Sequence, residues 1–213
     1  MTESVSRCMK NLEKNGMTVS YVESKADVLP LVEGMIPRGA TVAVGGSQTL
    51  NETGVMGLIR SEKYRFLDRY DPSLTAEERE EIFRQSALAD VYLCSSNAVT
   101  ENGELYNVDG TSNRVSAIAY GPKKVILVVG INKIVPTLTD AVQRVKSVAA
   151  PLNARRLNCN TYCNANGHCM HMDGQMGSGC LSEGRICCNY LVSAKQRQTG
   201  RIHVIFVGES CGF

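Results

Sequence analysis

Apolar residues are distributed along the chain in two ways: short unbroken runs, and longer stretches in which they recur three and four positions apart. The unbroken runs are Ala40-Thr-Val-Ala-Val44, the segment from Asp90 to Cys94, Val125-Ile-Leu-Val-Val129 within residues 124–130, and Ile202-His-Val-Ile-Phe-Val207. Runs with so little polar alternation read as strands buried on both faces of a parallel sheet. Two weaker strands are expected at Met17–Val22 and Tyr64–Leu67. Helical spacing fills the intervals. Val5, Cys8, Met9 and Leu12 share one face of a helix over 4–15 that stops at Asn15-Gly16. Ser24 caps a helix to about Met35, stopped by Pro37 and Gly39. Further helices are predicted over 48–60, from the Thr75/Glu78 capping box to Leu88, over 110–120, and over 138–149. Strands alternating with helices define an α/β fold, a mostly parallel sheet covered by helices on both faces.

Two segments break the alternation. Residues 95–109 are rich in Asn, Gly, Ser and Thr and read as functional loops around one hairpin, with Asn102-Gly103 as its turn. Residues 158–189 are rich in Cys, Gly, Asn and Met and have no periodicity. Because a core strand returns at 202–207, the cysteine-rich stretch is an insertion within a single domain over 1–213.

Composition narrows the function classes. Of 213 residues 43% are hydrophobic and 21% charged, ordinary globular values, so nothing points to disorder. A net charge of +2 with no concentrated basic face argues against nucleic acid as a partner. No stretch approaches the roughly 18–20 apolar residues of a membrane span. The polar, helical N-terminus is not a secretory signal, so a cytoplasmic location is expected, where thiols stay reduced. Six of the nine cysteines (Cys159, Cys163, Cys169, Cys180, Cys187 and Cys188) fall within thirty residues. In a reducing compartment such a cluster reads as metal-binding or catalytic rather than as a disulfide framework.

Three constellations carry chemistry. Gly45-Gly46-Ser47-Gln48-Thr49 lies where a buried strand gives way to a helix. Glycines there admit a ligand close to the backbone, the first helical amides have no internal acceptor, and the hydroxyls add hydrogen bonds to an anion. The bland alternative is a tight turn with Ser47 as a plain cap. The second constellation supplies Asn97, Asn102, Asn107, Thr111 and Arg114 as ligand contacts, with Glu101 or Asp109 as a base; hairpin turns and a helix cap are the structural alternative. The third is the spacing Cys163-x5-Cys169-x10-Cys180-x6-Cys187, four thiols for a zinc ion or an iron–sulfur cluster, with Cys159, Cys188, His168 and His171 nearby. A mobile loop of free thiols is its alternative. Cys8, Cys94 and Cys211 read as lone small hydrophobes.

The stretches GGSQTL, SSNAVTENGELYNVDGTSNRVSAIAYGPKKVILVVGINKIV and AAPLNARRL together resemble the LUD domain family, linked to bacterial lactate utilisation, over essentially residues 5–213. The resemblance implies a fold like that of ribose-5-phosphate isomerase, NagB and the coenzyme A transferases, in which the glycine–serine turn grips phosphate or carboxylate. Some LUD proteins carry a compact motif like TPCxxTGxCxDCxSPxRICN; Cys163, Cys169, Cys180 and Arg185-Ile186-Cys187 match its ends, but ten residues rather than two separate Cys169 from Cys180. Three functions compete. The chain is a component of a lactate-oxidising, iron–sulfur-dependent system, with a small anionic ligand and iron–sulfur oxidoreductase partner proteins. Alternatively it is a stand-alone isomerase or transferase acting on a sugar phosphate or acyl-CoA, or a non-catalytic redox sensor or assembly protein. A homo-oligomer is compatible with each.

Overall fold

All residues, Met1 to Phe213, are described in a computed structural model of the chain. Its strands are β1 (Thr18–Val22), β2 (Thr41–Val44), β3 (Arg65–Phe66), β4 (Val91–Cys94), β5 (Ala98–Thr100), β6 (Leu105–Asp109), β7 (Lys124–Gly130), β8 (Ile134–Val135), β9 (Asn189–Ser193) and β10 (Ile202–Val207). Its helices are α1 (Glu3–Lys14), α2 (Val28–Met35), α3 (Gln48–Glu52), α4 (Val55–Ile59), α5 (Ala76–Ser86), α6 (Asn113–Ala119), α7 (Leu138–Arg144), α8 (Ala150–Arg156) and α9 (Tyr162–Asn166).

The main sheet is six-stranded in the order β1-β10-β7-β4-β2-β3, and every pairing is parallel. The continuous apolar runs occupy its middle because both faces are buried. On one face Val42, Val44, Leu93, Ile126, Val128 and Ile205 pack against α2, α3 and α4. On the other, Ala43, Tyr92, Leu127, Val129, Val204 and Phe206 pack against α1, α6 and the β5–β6 hairpin. The expected α/β fold with helices on both faces is therefore present.

A second sheet, in the order β8-β5-β6-β9, is mixed: β5 pairs parallel with β8, while β6 runs antiparallel to both β5 and β9. Sequence patterning missed β9, which follows directly on the cysteine-rich stretch. Five residue pairs, Leu105–Ser193 to Asp109–Asn189, stitch the end of that stretch onto β6. The stretch is thus tied to the fold at both ends.

Three helix boundaries differ from expectation. The helix predicted over 48–60 is two short ones, α3 and α4, because Gly54 adopts the left-handed conformation (φ 73°) between them. The helix expected from residue 110 begins at Asn113, after Ser112 at φ 71°. The helix predicted to stop at 149 instead continues through a π-turn (Val145–Ala149) into α8. Pro151 follows directly on the π-turn, where the helical bonding pattern changes, and it does not end the helix.

Candidate functional site

Loops leaving the C-terminal ends of three neighbouring strands, β7, β4 and β2, meet in one cleft of about 220 Å3. In open α/β sheets this is where ligands bind. From the β2 end come Gly46, Ser47 and Gln48; from the β4 end Ser95, Ser96 and Asn97; from the β7 end Lys133. Asp109, Thr111, Asn113 and Arg114 close a second side, and Arg69, Tyr70, Asn153 and Arg156 lie on the rim with Leu157, Ile186 and Phe213. Four of the charged side chains are cations (Arg69, Arg114, Lys133 and Arg156); Asp109 is the acid among them.

Arg114 is the frame of the cleft. Its guanidinium is buried and donates to the Ser95 and Val108 carbonyls, to Asn107 Oδ1 at 2.6 Å and to Asn97 Oδ1 at 2.8 Å. Asn107 thus lies behind the cleft wall as a partner of Arg114 and does not face a ligand. Gly45 serves the same frame: a Cβ there would stand 2.8 Å from Arg114 Cδ and 3.1 Å from Cys94 Cβ, so its role is packing rather than ligand contact. Asp109 Oδ2 accepts from the Arg114 and Val115 amides and caps α6. Ser47 Oγ caps α3 by accepting from the Leu50 amide.

Lys133 is the residue that sequence reasoning overlooked. Its ammonium is buried, donating to Thr49 Oγ1 at 2.9 Å and Ser95 Oγ at 3.0 Å, with no carboxylate against it. Thr49 sits beneath the cleft, and its hydroxyl also reaches the Cys211 carbonyl at 3.3 Å. Residues 211 and 212 provide the cover: Cys211 N donates to Asn132 Oδ1, and Gly212, at φ 58°, packs where any side chain would run into Thr49 Oγ1. Burial, the largest influence, pulls the Lys133 pKa down to about 8; Arg144 and Arg114 act in the same direction, and Cys211 and Glu52 oppose it. The signal in the sequence was a lysine three residues beyond the strongest strand. Its importance depends on β7 lying beside β4, which no local pattern reveals.

Glu101 and Asn102, expected at the site, are elsewhere. Glu101 accepts from Ser4 Oγ at 2.6 Å and pairs with Arg7 at 2.8 Å, so the hairpin tip is bound to α1. Asn15 donates to the Asn102 carbonyl. Gly103, at φ 81°, lets this turn lie on the α1 backbone: a Cβ would come 2.5 Å from the Asn11 carbonyl carbon. Neither Glu101, expected as a base, nor Asn102, expected as a ligand contact, lines the cleft.

The four cysteines of the expected metal set do come together. Cys163, Cys169, Cys180 and Cys187 all line one small apolar cavity of about 30 Å3, with Tyr106, Val145, Met176 and Tyr190. Desolvation first, then the neighbouring thiols of Cys163, Cys169 and Cys180, push the Cys187 thiol up to about 12. No three Cys, His, Asp or Glu side chains converge closely enough to hold a single metal ion as they stand. A tetrahedral zinc needs its sulfurs within about 2.3 Å of one point, so these thiols share a cavity without forming that shell. His168 and His171 are exposed and outside the cavity, as is Cys188, whose thiol donates to the Arg185 carbonyl. Two cations hold the segment. Lys146, on the π-turn, donates to the His171 carbonyl, Asp173 Oδ1 and Ser178 Oγ. Arg185 donates to the carbonyls of Gly177, Cys180 and Cys187 and to Tyr190 Oη. Ile186 lines both this cavity and the cationic cleft, so one residue separates them.

The profile of a family described as the LUD domain matches residues 5–207. No curated protein matches. Among solved structures, the chain is similar to a DUF162 family protein from Deinococcus radiodurans, with a TM-score of 0.52 and 15% identity over 96% of both chains. That likeness concerns the fold.

Proposed function

The chain belongs to the LUD domain family, and from that premise we propose that it takes part in lactate utilisation by binding a small carboxylate or phosphate in the cleft beyond β2, β4 and β7. The observation that carries this reading is the unbalanced charge: Lys133, Arg69 and Arg156 face a cleft in which Asp109, the acid, is engaged as a helix cap. An ammonium buried without a counter-charge is unfavourable, and an anionic ligand supplies what is missing. The small volume fits a short organic acid or a phosphate group better than a large cofactor. No helix is long and apolar enough to cross a membrane.

The cysteine cavity fits a metal group by donor chemistry, since four thiols face one dry pocket. Cys163, Cys169, Cys180 and Cys187 would hold it, as an iron–sulfur cluster or a zinc ion. Such a cluster supplies one-electron transfer when bound. Met170, which lines the cavity, is exposed, as are Met172 and Leu181 of the same segment, and these side chains offer apolar contact to an oxidoreductase partner. Asp109, the acid of the cleft lining, spends one carboxylate oxygen on capping α6, which weakens the isomerase or transferase alternative.

The test is a thermal-shift panel at constant ionic strength with lactate, inorganic phosphate, phosphosugars and coenzyme A, together with iron, sulfide and zinc analysis of anaerobically purified protein. A rise in melting temperature with lactate or phosphate that Lys133→Met abolishes supports the anion site. Unchanged melting across the panel counts against it. Stoichiometric zinc without iron would remove the cluster.

A further inference from the structure

We propose that Ser95 and Lys133 form a nucleophile–base pair that cleaves an acyl ester or thioester bearing a carboxylate or phosphate group. The proposal rests on the cleft being the ligand site, but asks more of it than binding.

The geometry is that of a hydroxyl beside a base. Ser95 lines the cleft, and its Oγ lies 3.0 Å from Lys133 Nζ and 3.5 Å from the Ser96 carbonyl. A lysine serves as base only when it can shed its proton near neutral pH, which requires burial and no carboxylate partner. Lys133 meets both conditions: it is 2% exposed and bonded to two neutral hydroxyls. Thr49 is the positioning residue. Its Oγ1 holds Nζ at 2.9 Å and is itself oriented by the Cys211 carbonyl, so the ammonium cannot swing away from Ser95. Nucleophile, base and orienting group thus follow in series, the arrangement that recurs in serine–lysine hydrolases on unrelated folds. The backbone amides of Gly46, Ser95 and Ser96 donate to no backbone or side-chain acceptor, leaving N–H groups for a developing oxyanion. Arg69 and Arg156 lie at the rim of the same cleft, where a substrate's anionic group would be held.

The reaction balances with water as co-reactant. Ser95 Oγ attacks the carbonyl carbon as its proton passes to Lys133 Nζ; the carbon–oxygen or carbon–sulfur bond to the leaving group breaks, and Lys133 returns the proton to the departing alkoxide or thiolate. Water then attacks the acyl-Ser95 ester, again losing its proton to Lys133. The bond from Ser95 Oγ to the acyl carbon breaks as Lys133 returns that proton to Oγ, and the released carboxylic acid gives its remaining proton to solvent to become a carboxylate. Lys133 must be neutral for the first step, so acylation rises as pH climbs through its pKa. Burial sets that value at about 8, with Arg114 and Arg144 lowering it and Cys211 and Glu52 raising it.

The experiment treats the full chain with a small fluorophosphonate, and in parallel with a mono-p-nitrophenyl ester of a dicarboxylic acid, and maps adducts by peptide mass spectrometry. One adduct on Ser95 is expected, with labelling that increases from neutral pH through about 8. Ser95→Ala should lose it, and Lys133→Met should slow it at least tenfold. Thr49→Val should shift the pH midpoint. Mapping on the wild-type chain decides the matter even if a variant fails to fold, and Ser95→Cys with a thiol-directed reagent gives a second route. No adduct, or one elsewhere, overturns the proposal. A phosphate-induced melting shift in the same wild-type sample reports the anion reading separately: a shift without label removes the nucleophile and keeps the anion site, and a label without a shift does the reverse.

Discussion

The cationic cleft and the cysteine cavity share Ile186 as a wall, yet they are held by different forces. The cleft stands on β2, β4 and β7, whose side chains are buried on both faces, and its internal frame is an arginine whose two terminal nitrogens make four hydrogen bonds. Close packing of this kind fixes geometry without help from a ligand. The cysteine cavity stands on a segment with one short helix, tied by Lys146, Arg185 and the β6–β9 pairing. Few apolar contacts and many polar links mark a region of low local stability. The cleft is preorganised by the fold, whereas the cavity rests on polar links and one strand pairing.

Four substitutions probe that contrast, and the largest effect belongs to the core. Phe206→Ala removes a fully buried ring from β10 and should destabilise the whole chain by roughly 3–5 kcal/mol, read as a loss in denaturation midpoint. A loss confined to the cleft would contradict the claim that core and cleft are one unit. Next, Arg114→Met strands Asn97, Asn107 and two carbonyls, for about 3 kcal/mol and loss of anion binding.

Lys133→Met should act in the opposite direction. Between about pH 8 and 10.5 the unfolded lysine holds its proton and the folded one does not, so wild-type stability rises with pH across that window. Below it, the penalty of the buried charge is complete. The variant should therefore be more stable than wild type at pH 7, by roughly 2 kcal/mol, and show no rise above pH 8, in denaturant titrations at each pH. Equal slopes would mean that Lys133 is not desolvated. The smallest global effect is expected from Lys146→Met. It should leave the core transition within about 1 kcal/mol while speeding proteolysis and amide exchange across 169–188, and an added metal should reverse this.

The sequence was most informative where a single local pattern decides the outcome. Residues 124–130 and 202–207 are legible as buried strands because nothing but an apolar interior suits them, and Thr75 with Glu78 marks a helix start by itself. Cys163, Cys169, Cys180 and Cys187 were legible as a group from spacing, since the chain between them is too poor in apolar residues to pack alone. Strand β9 was hidden because Asn189–Ser193 has a strand's propensity only once β6 is beside it. Glu101 was misplaced because the hairpin tip folds back on α1, a contact between residues 90 or more positions apart. Lys133, Arg69 and Arg156 come together through strand order, which no window of sequence contains.

The central claim is that the cleft beyond β2, β4 and β7 awaits negative charge. Calorimetric titration of inorganic phosphate and of lactate into the wild-type chain and into Lys133→Met, at two salt concentrations, tests it most directly. The account predicts saturable binding of at least one of them, weaker at higher salt and lost in the variant. Binding that survives in Lys133→Met unchanged, or none to wild type at either salt, would contradict it.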